Sequence, residues 1–401
     1  MADAVDFSIA VRPNDLEAVP GIVKGIVDKA NALSPGDETA RHALLIQARS
    51  LVQALETPRL VTGVDAGLWI LMAKNGDGPQ NVADLADTLG FDPVLLGRLM
   101  RHLAAMGYLI ETGVDQYKLT NFTRSMALPQ ISGGYITLLG EIGASGLEFH
   151  KWARKNNWRN PTDPKNGALK EAYGTDLDVF QYLHSVGCLQ QVNNHMRGYR
   201  QGRTPWMDPS IYPVQENLIH GAEADSEAPF LVDIAGGLGH DLTEFKKRFP
   251  NQPGIPKYKK IYLEDLPAVI ADIQDLDPTI ERLSYDFHTE QPIKGARAYF
   301  MHSIMHDWPD HVCKSILTRV VEAMRPGYSK LLINDVVIPS MGAHWENTAG
   351  DMLMMTQLSA LERTEAQWYQ LIEGSGLGLK IKKIWLCGLP GVEGLIECER
   401  V

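Results

Sequence analysis

A chain of 401 residues is too long for one compact hydrophobic core and implies two domains. With 44% hydrophobic and 22% charged residues, its composition excludes a disordered or collagen-like chain. A formal net charge of -11 argues against a general nucleic-acid binder, which needs a basic face, and against residence on an anionic membrane.

The N-terminal stretch Met1 to Pro20 carries Asp3, Asp6, Arg12, Asp15 and Glu17 and has no apolar segment of the kind a signal peptide needs. No apolar run approaches the roughly 20 residues that span a bilayer. The cysteines Cys188, Cys313, Cys387 and Cys398 are scattered, with no C-x-x-C pair. That pattern suits reduced thiols in a cytoplasmic protein and neither a disulfide frame nor a zinc site.

From about Ala40 the sequence is rich in helix signals. Asn81 can cap a helix that starts at Val82 and stops at Gly90. Asp92-Pro93 then supplies a cap followed by proline at the first helical position. Helical spacing in that second helix predicts burial of Val94, Leu95, Leu99, Leu103 and Met106. Tyr108-Leu109-Ile110 and Gln116-Tyr117-Lys118-Leu119 follow as two short strands. Helix, turn, helix and hairpin together spell a winged helix. Arg98, Arg101 and His102 would sit on its recognition helix, but Asp77, Asp84, Asp87 and Asp92 surround them. The reading adopted for residues 1–125 is therefore a packing and dimerisation module and not a DNA reader.

Residues 126–401 form the second domain, opening with a mostly helical cap over 126–220. From Phe230 strand-like and helical segments alternate: Phe230–Ile234, Lys260–Leu263, Ala298–Met301 and Leu331–Asp335 each lead into a helix. Alternation of this kind means an α/β fold with a mostly parallel sheet covered on both faces. Ile381–Leu386 and Gly394–Glu399 read as a closing pair of strands.

The first of these strands runs into Ala235-Gly236-Gly237-Leu238-Gly239 and then a helix. Small residues let the backbone approach a ligand, and the helix N-terminus adds polarised N–H groups. A dinucleotide fingerprint fails, because Leu242 stands where its third glycine belongs, and no Walker lysine is present. An acidic strand ending in a small-residue loop suits a ligand with a cationic centre, such as the sulfonium of S-adenosylmethionine, with Asp233 as counter-charge. Asp265, at the end of the second strand, is where a ribose diol is usually held. Asp286 and Phe287 offer a carboxylate and a ring face to an adenine.

After the fourth strand comes Met301-His302-Ser303-Ile304-Met305-His306-Asp307-Trp308-Pro309-Asp310. Methyl transfer to oxygen is an in-line displacement that gains from alignment and from removal of the hydroxyl proton. A phenol near pKa 10 needs a base, and a histidine near 6.5 can serve. A carboxylate on its other ring nitrogen would fix tautomer and orientation; Asp335 and Glu362 are the candidates. On residue chemistry alone His288, His302 and His311 compete with His306.

The stretches VDIAGGLGHDL (Val232–Leu242), EDLPAVI (Glu264–Ile270), SYDF (Ser284–Phe287), HDWPDHVC (His306–Cys313), AMRPGYSKLLINDVVIP (Ala323–Pro339) and ERT (Glu362–Thr364), with LVQALETP (Leu51–Pro58), cover most of the chain. In them the sequence resembles the plant caffeic-acid-type small-molecule O-methyltransferases, and within these the fungal secondary-metabolism branch. The resemblance implies a Rossmann-like domain with a seven-stranded sheet that binds S-adenosyl-L-methionine, and an interlocked homodimer built on the winged-helix domain. It implies His306 as base flanked by Asp335 and Glu362, and a cofactor held by Asp233, Gly236, Gly237, Asp265, Asp286, Phe287 and His302. Met352 and Met355 would line a pocket for a small phenolic or enolic acceptor, with neither nucleic acid, membrane nor metal involved. Three residues depart from the family pattern: Ala235 replaces the first loop glycine, Asp335 a glutamate, and His302 a lysine or arginine. Some members of the fungal branch keep this architecture yet catalyse dehydration or pericyclic ring formation without consuming the cofactor, which is the alternative reading.

Overall fold

The computed structural model describes residues 17–34, 37–55, 61–199, 204–223, 228–250, 260–386 and 393–401. Cys387, the first sixteen residues and the Glu56-Thr57-Pro58 end of the N-terminal stretch lie outside them. The chain divides into two compact units, Met1–Glu141 with Cys188–Gly202, and Ile142–Gly187 with Arg203–Val401. The helical segment 126–220 is thus shared between the two. Among the described residues no helix is long and apolar enough to cross a membrane.

In the first unit, Asn81 Oδ1 accepts the Ala83 N–H at 2.8 Å and Asp92 Oδ1 accepts the Leu95 N–H at 2.9 Å. These two caps start helices Val82–Leu89 and Pro93–Ala105 where the sequence signals lie. Strands β1 (Gln80–Asn81), β2 (Leu109–Gly113) and β3 (Gln116–Leu119) form an antiparallel sheet with β3 in the middle. Trp69, Met72, Leu85, Leu96, Met100 and Tyr117 make the core beneath. One expectation is corrected here. Helix Pro93–Ala105 buries Leu96, Gly97, Met100 and Leu103, while Val94 is 69% exposed, Leu95 48% and Met106 43%. Two apolar stripes overlap on this helix, and local spacing cannot say which one faces the core.

In the second unit, strands β4 (Pro229–Ile234), β5 (Lys260–Asp265), β6 (Ile280–Ser284), β7 (Ala298–His302), β8 (Lys330–Ile338), β9 (Arg363–Thr364), β10 (Leu379–Leu386) and β11 (Glu393–Arg400) build one sheet. The order is β10-β11-β8-β7-β4-β5-β6, with short β9 beside β8. Pairing is parallel except at β11 with β8 and β10 with β11. Val232, Tyr299, Ile333 and Trp368 belong to the core on one face, and Leu231, Phe245, Phe300 and Leu332 to the core on the other. This is a Rossmann-like α/β sheet preceded by a helical N-terminal region.

The order reverses direction between β4 and β7, which pair in parallel with Ile234 opposite Met301. In open sheets of this type ligands bind outside the carboxyl ends of the strands at such a switch point. The glycine loop leaves the end of β4 and the His306 turn leaves the end of β7, so both flank the same crevice. Each begins with a residue in the left-handed region, Ala235 at φ 55° and Ser303 at φ 54°. For an L-residue with a side chain that conformation costs about 1–2 kcal/mol, and here it turns the chain sharply at two adjacent strand tips.

Candidate active site

Asp233 is fully buried at the end of β4. Gly236 packs directly over it: a Cβ there would lie 2.5 Å from both the Asp233 carboxyl and Leu263. Gly237, at φ 61°, donates its N–H to Asp265 Oδ2 at 2.8 Å, and Leu266 N–H donates to Asp265 Oδ1 at 2.7 Å. Burial pushes the Asp265 carboxyl up, and these two bonds oppose it. The carboxylate is thereby aimed from the tip of β5 with a lone pair on each oxygen still available for a diol. Asp233, Gly236, Gly237 and Asp265 thus come together as one cradle of bare backbone over an anion. Those residues fit S-adenosylmethionine, which brings a cationic sulfonium and a ribose.

Past β6, Asp286 is exposed and its Oδ1 accepts the His288 N–H at 2.9 Å. Phe287 is half-buried and meets Trp308 edge-on, ring centroids 6.2 Å apart at 78°. The aromatic side of the expected adenine site and the turn that carries His306 are therefore in contact.

His306 lies in the one-turn helix Met305–Asp307 just after β7. Its Nδ1–H donates to Glu362 Oε1 at 2.8 Å, and Asp335 Oδ1, on β8, lies 3.9 Å from the same nitrogen. Nε2 has no hydrogen bond among the described residues; Asp307 Oδ1 stands 3.4 Å from it. Asp335 is locked in turn by the Met305 N–H, 3.1 Å from its Oδ2, and Glu362 by its own N–H donating to Asp351 Oδ1 at 3.0 Å. Burial disfavours charge on the ring, but Asp307, Asp335 and Glu362 outweigh it and hold the imidazole well above its ordinary range. Burial pushes Asp307 up to about 6 and Asp335 up to about 7, with the imidazole opposing both. One imidazole thus shares its protons with a set of crowded carboxylates.

Arg363, wholly buried, closes the turn from behind. It donates to the carbonyls of Met305 at 2.7 Å and Trp308 at 2.8 Å, and to Asp310 Oδ1 at 2.8 and 3.0 Å. The guanidinium satisfies two buried carbonyls and ties β9 to the ends of the turn.

His302, grouped with the cofactor residues in the sequence, has other partners. Nδ1 lies 2.9 Å from Asp241 Oδ2 and Nε2 2.9 Å from Glu393 Oε2, and all three side chains are buried. Glu393 also accepts from Asn334 Nδ2 at 3.1 Å and from Ser303 Oγ at 3.4 Å.

Met352 is 49% exposed on helix Trp345–Leu353, and Met355 is half-buried in the wider π-helical turn Met354–Leu358 that continues it. Asp351 on the same helix accepts the Glu362 N–H, so this helix adjoins the partner of His306. Sequence reasoning passed over Asp307, which the HDWPD stretch carries beside the base, and Asp241, within the glycine-loop stretch. Glu393 had no local signal at all, since it lies 91 positions from His302.

The O-methyltransferase domain family matches residues 213–378. Methyltransferase cfoC of Aspergillus candidus is 35% identical over 92% of this chain and 93% of its own. A structure described as a pericyclic reaction enzyme aligns with a TM-score of 0.77 at 29% identity, covering 96% of this chain and 100% of the other. OxaC, solved in complex with sinefungin and meleagrin, aligns with a TM-score of 0.76 at 26% identity, covering 96% of this chain and 99% of that one.

Proposed function

The chain belongs to the fungal small-molecule O-methyltransferases that depend on S-adenosylmethionine, and from that premise we propose that it methylates a hydroxyl of a phenolic or enolic metabolite with His306 as general base. One observation carries this reading: an imidazole gripped through Nδ1 by Glu362 at 2.8 Å, its Nε2 unbonded, on the carboxyl edge beside the glycine loop. S-adenosylmethionine, when bound, supplies an electrophilic methyl on sulfur. His306 Nε2 takes the acceptor's hydroxyl proton, and Glu362 keeps the ring in the tautomer and orientation that leave Nε2 facing the acceptor. Asp335 adds negative charge beside the ring, which raises its basicity and the driving force for taking a phenolic proton. Asp233, Gly236, Gly237, Asp265, Asp286 and Phe287 hold the methyl donor; Met352 and Met355 form an adaptable apolar wall for the acceptor. The apolar face left open on the winged-helix unit by Val94, Leu95 and Met106 supports a homodimer. The free, buried Cys188, Cys313 and Cys398 support a reducing, cytoplasmic setting.

A second reading is favoured by a specific observation. The surrounding carboxylates raise the His306 imidazole above its ordinary range and so favour its protonated form, and a protonated donor in a shaped pocket can polarise a carbonyl for dehydration or a pericyclic closure. The likeness to a pericyclic reaction enzyme supports the same idea. Purified protein incubated with methyl-labelled S-adenosylmethionine and a panel of phenolic and enolic polyketides and alkaloids separates the two. Labelled product with an equal yield of S-adenosylhomocysteine is the expected outcome. Intact donor beside a rearranged or dehydrated substrate would establish the second reading instead.

A further inference from the structure

The cluster around His302 is unused by the chemistry above, yet it is buried and bonded on both ring nitrogens. It joins four elements. His302 ends β7, Asn334 lies on β8 opposite it, Glu393 begins β11, and Asp241 stands in the first turn of helix His240–Arg248. That helix starts directly after the glycine loop, with Gly239 at φ 81° as its N-cap. The ring has a carboxyl oxygen on each nitrogen at 2.9 Å. Both ring nitrogens are thereby engaged within the protein, with neither left to take a proton from a substrate. This rules it out as a second general base and leaves a mechanical role.

We propose that His302 is a positioning residue for the methyl donor: a buried side-chain cross-link that fixes the first turn of helix His240–Arg248, and with it the glycine loop, against the tips of β7, β8 and β11. The inference rests on the reading of that loop as the S-adenosylmethionine cradle. The loop runs from β4, which pairs with β7, to Asp241, which His302 holds. Both of its ends are therefore anchored to the same strand tip, one through the backbone ladder and one through this side chain. Without the ring, Asp241 and Glu393 would lose the partner they share, and the loop's end would lose its side-chain tie to β7.

The test is calorimetric titration of the full-length protein with S-adenosylhomocysteine and, separately, with adenosine. Adenosine reports on the Asp265 and Phe287 side, whereas S-adenosylhomocysteine also loads the glycine loop. His302→Gln should weaken S-adenosylhomocysteine about 10- to 100-fold, as loss of charge-assisted bonds implies, and adenosine less than about threefold. His302→Lys, which places a donor between the two carboxylates, should recover most of the loss. Asp241→Asn should weaken binding in the wild-type background and add little to His302→Gln, because the two act as one link. Should His302→Gln prove too unstable to purify, His302→Lys and Asp241→Asn carry the same comparison. Wild-type affinity for S-adenosylhomocysteine in a folded His302→Gln protein would overturn the proposal. So would equal losses for both ligands, which mark a general structural role. Failure of the wild type itself to bind S-adenosylhomocysteine is a different result and sinks the cofactor reading underneath.

Discussion

His302 and His306 sit at the two ends of one turn, and each is ringed by carboxylates, yet their surroundings differ at a single point. His302 has a carboxylate at 2.9 Å on both nitrogens and is tied to two other segments of the chain. His306 has one tight partner, Glu362, and an Nε2 with no hydrogen bond among the described residues. The same ingredients therefore leave both nitrogens engaged in one case and, in the other, one nitrogen available for the proposed role of proton acceptor. The number of carboxylates around a buried imidazole says little about its role; what matters is whether one nitrogen is left facing the crevice.

The sharpest way to break this contrast is to remove each ring in turn. His306→Gln should lower kcat/KM for methyl transfer by about 100- to 10,000-fold, the range of a general base, whereas His302→Gln assayed at saturating donor should lose far less. Equal losses in the two variants would erase the distinction. Next in size is the partner of the base. Glu362→Gln should cut the rate by about 10- to 100-fold through loss of ring orientation, and it should also move the pH profile. The base works when neutral and its pKa is raised, so activity is present above that raised value and lost as pH falls through it. Removing one of the anions that raise it should shift the acid limb of kcat/KM to lower pH; an unmoved limb would detach Glu362 from the ring.

A buried carboxylate with no histidine beside it makes a useful control. Glu264 is fully buried, bonded through Oε2 to Gln291 Nε2 at 2.7 Å, and burial together with nearby Asp233 pushes it up to about 7 against that bond. An acid whose folded pKa is raised contributes stability that is fully present below its unfolded value and is lost as pH rises through the folded one. Glu264→Gln should therefore raise unfolding stability by about 2 kcal/mol at pH 8.5, with the advantage shrinking to nothing towards pH 4. Urea midpoints that differ equally at both pH values would show that the carboxyl is not titrating in that window. The smallest effect concerns the strand tips themselves: Ala235→Gly should relieve the left-handed strain and stabilise by about 0.5–1 kcal/mol after the extra unfolded-chain entropy is subtracted. A loss of stability would mean that the methyl group packs usefully enough to offset its backbone.

Much of this was legible in the sequence because the signals were local. The two helix caps, the glycine loop and the strand-end carboxylate Asp265 each announce themselves within a few residues. Glu362 was named through the Glu362-Arg363-Thr364 stretch and the need of a histidine base for an acceptor on its second nitrogen, and the structure places it 2.8 Å from His306 Nδ1. Strand β6 was not read as a strand: Ile280-Glu281-Arg282-Leu283-Ser284 alternates weakly, as befits an edge with one neighbour. The inward face of helix Pro93–Ala105 was misread because its apolar residues outnumber those one face can bury. The bonds of His302 were out of reach for another reason. They depend on Glu393, which the sheet brings to β7 only after β11 inserts antiparallel beside β8.

The grip of Arg363 on the turn has a consequence for how such an enzyme can diversify. The guanidinium clasps the carbonyls at both ends of Met305–Trp308, so the segment bearing the base behaves as a closed link that no neighbouring change can stretch. With Met352 and Met355 as the proposed acceptor wall, novel acceptors would be accommodated there, where a π-helical turn carrying methionines can repack apart from the His306 turn. The His306 turn is the anvil and that wall the adjustable die, which lets a lineage explore new metabolites while its reactive geometry stays constant.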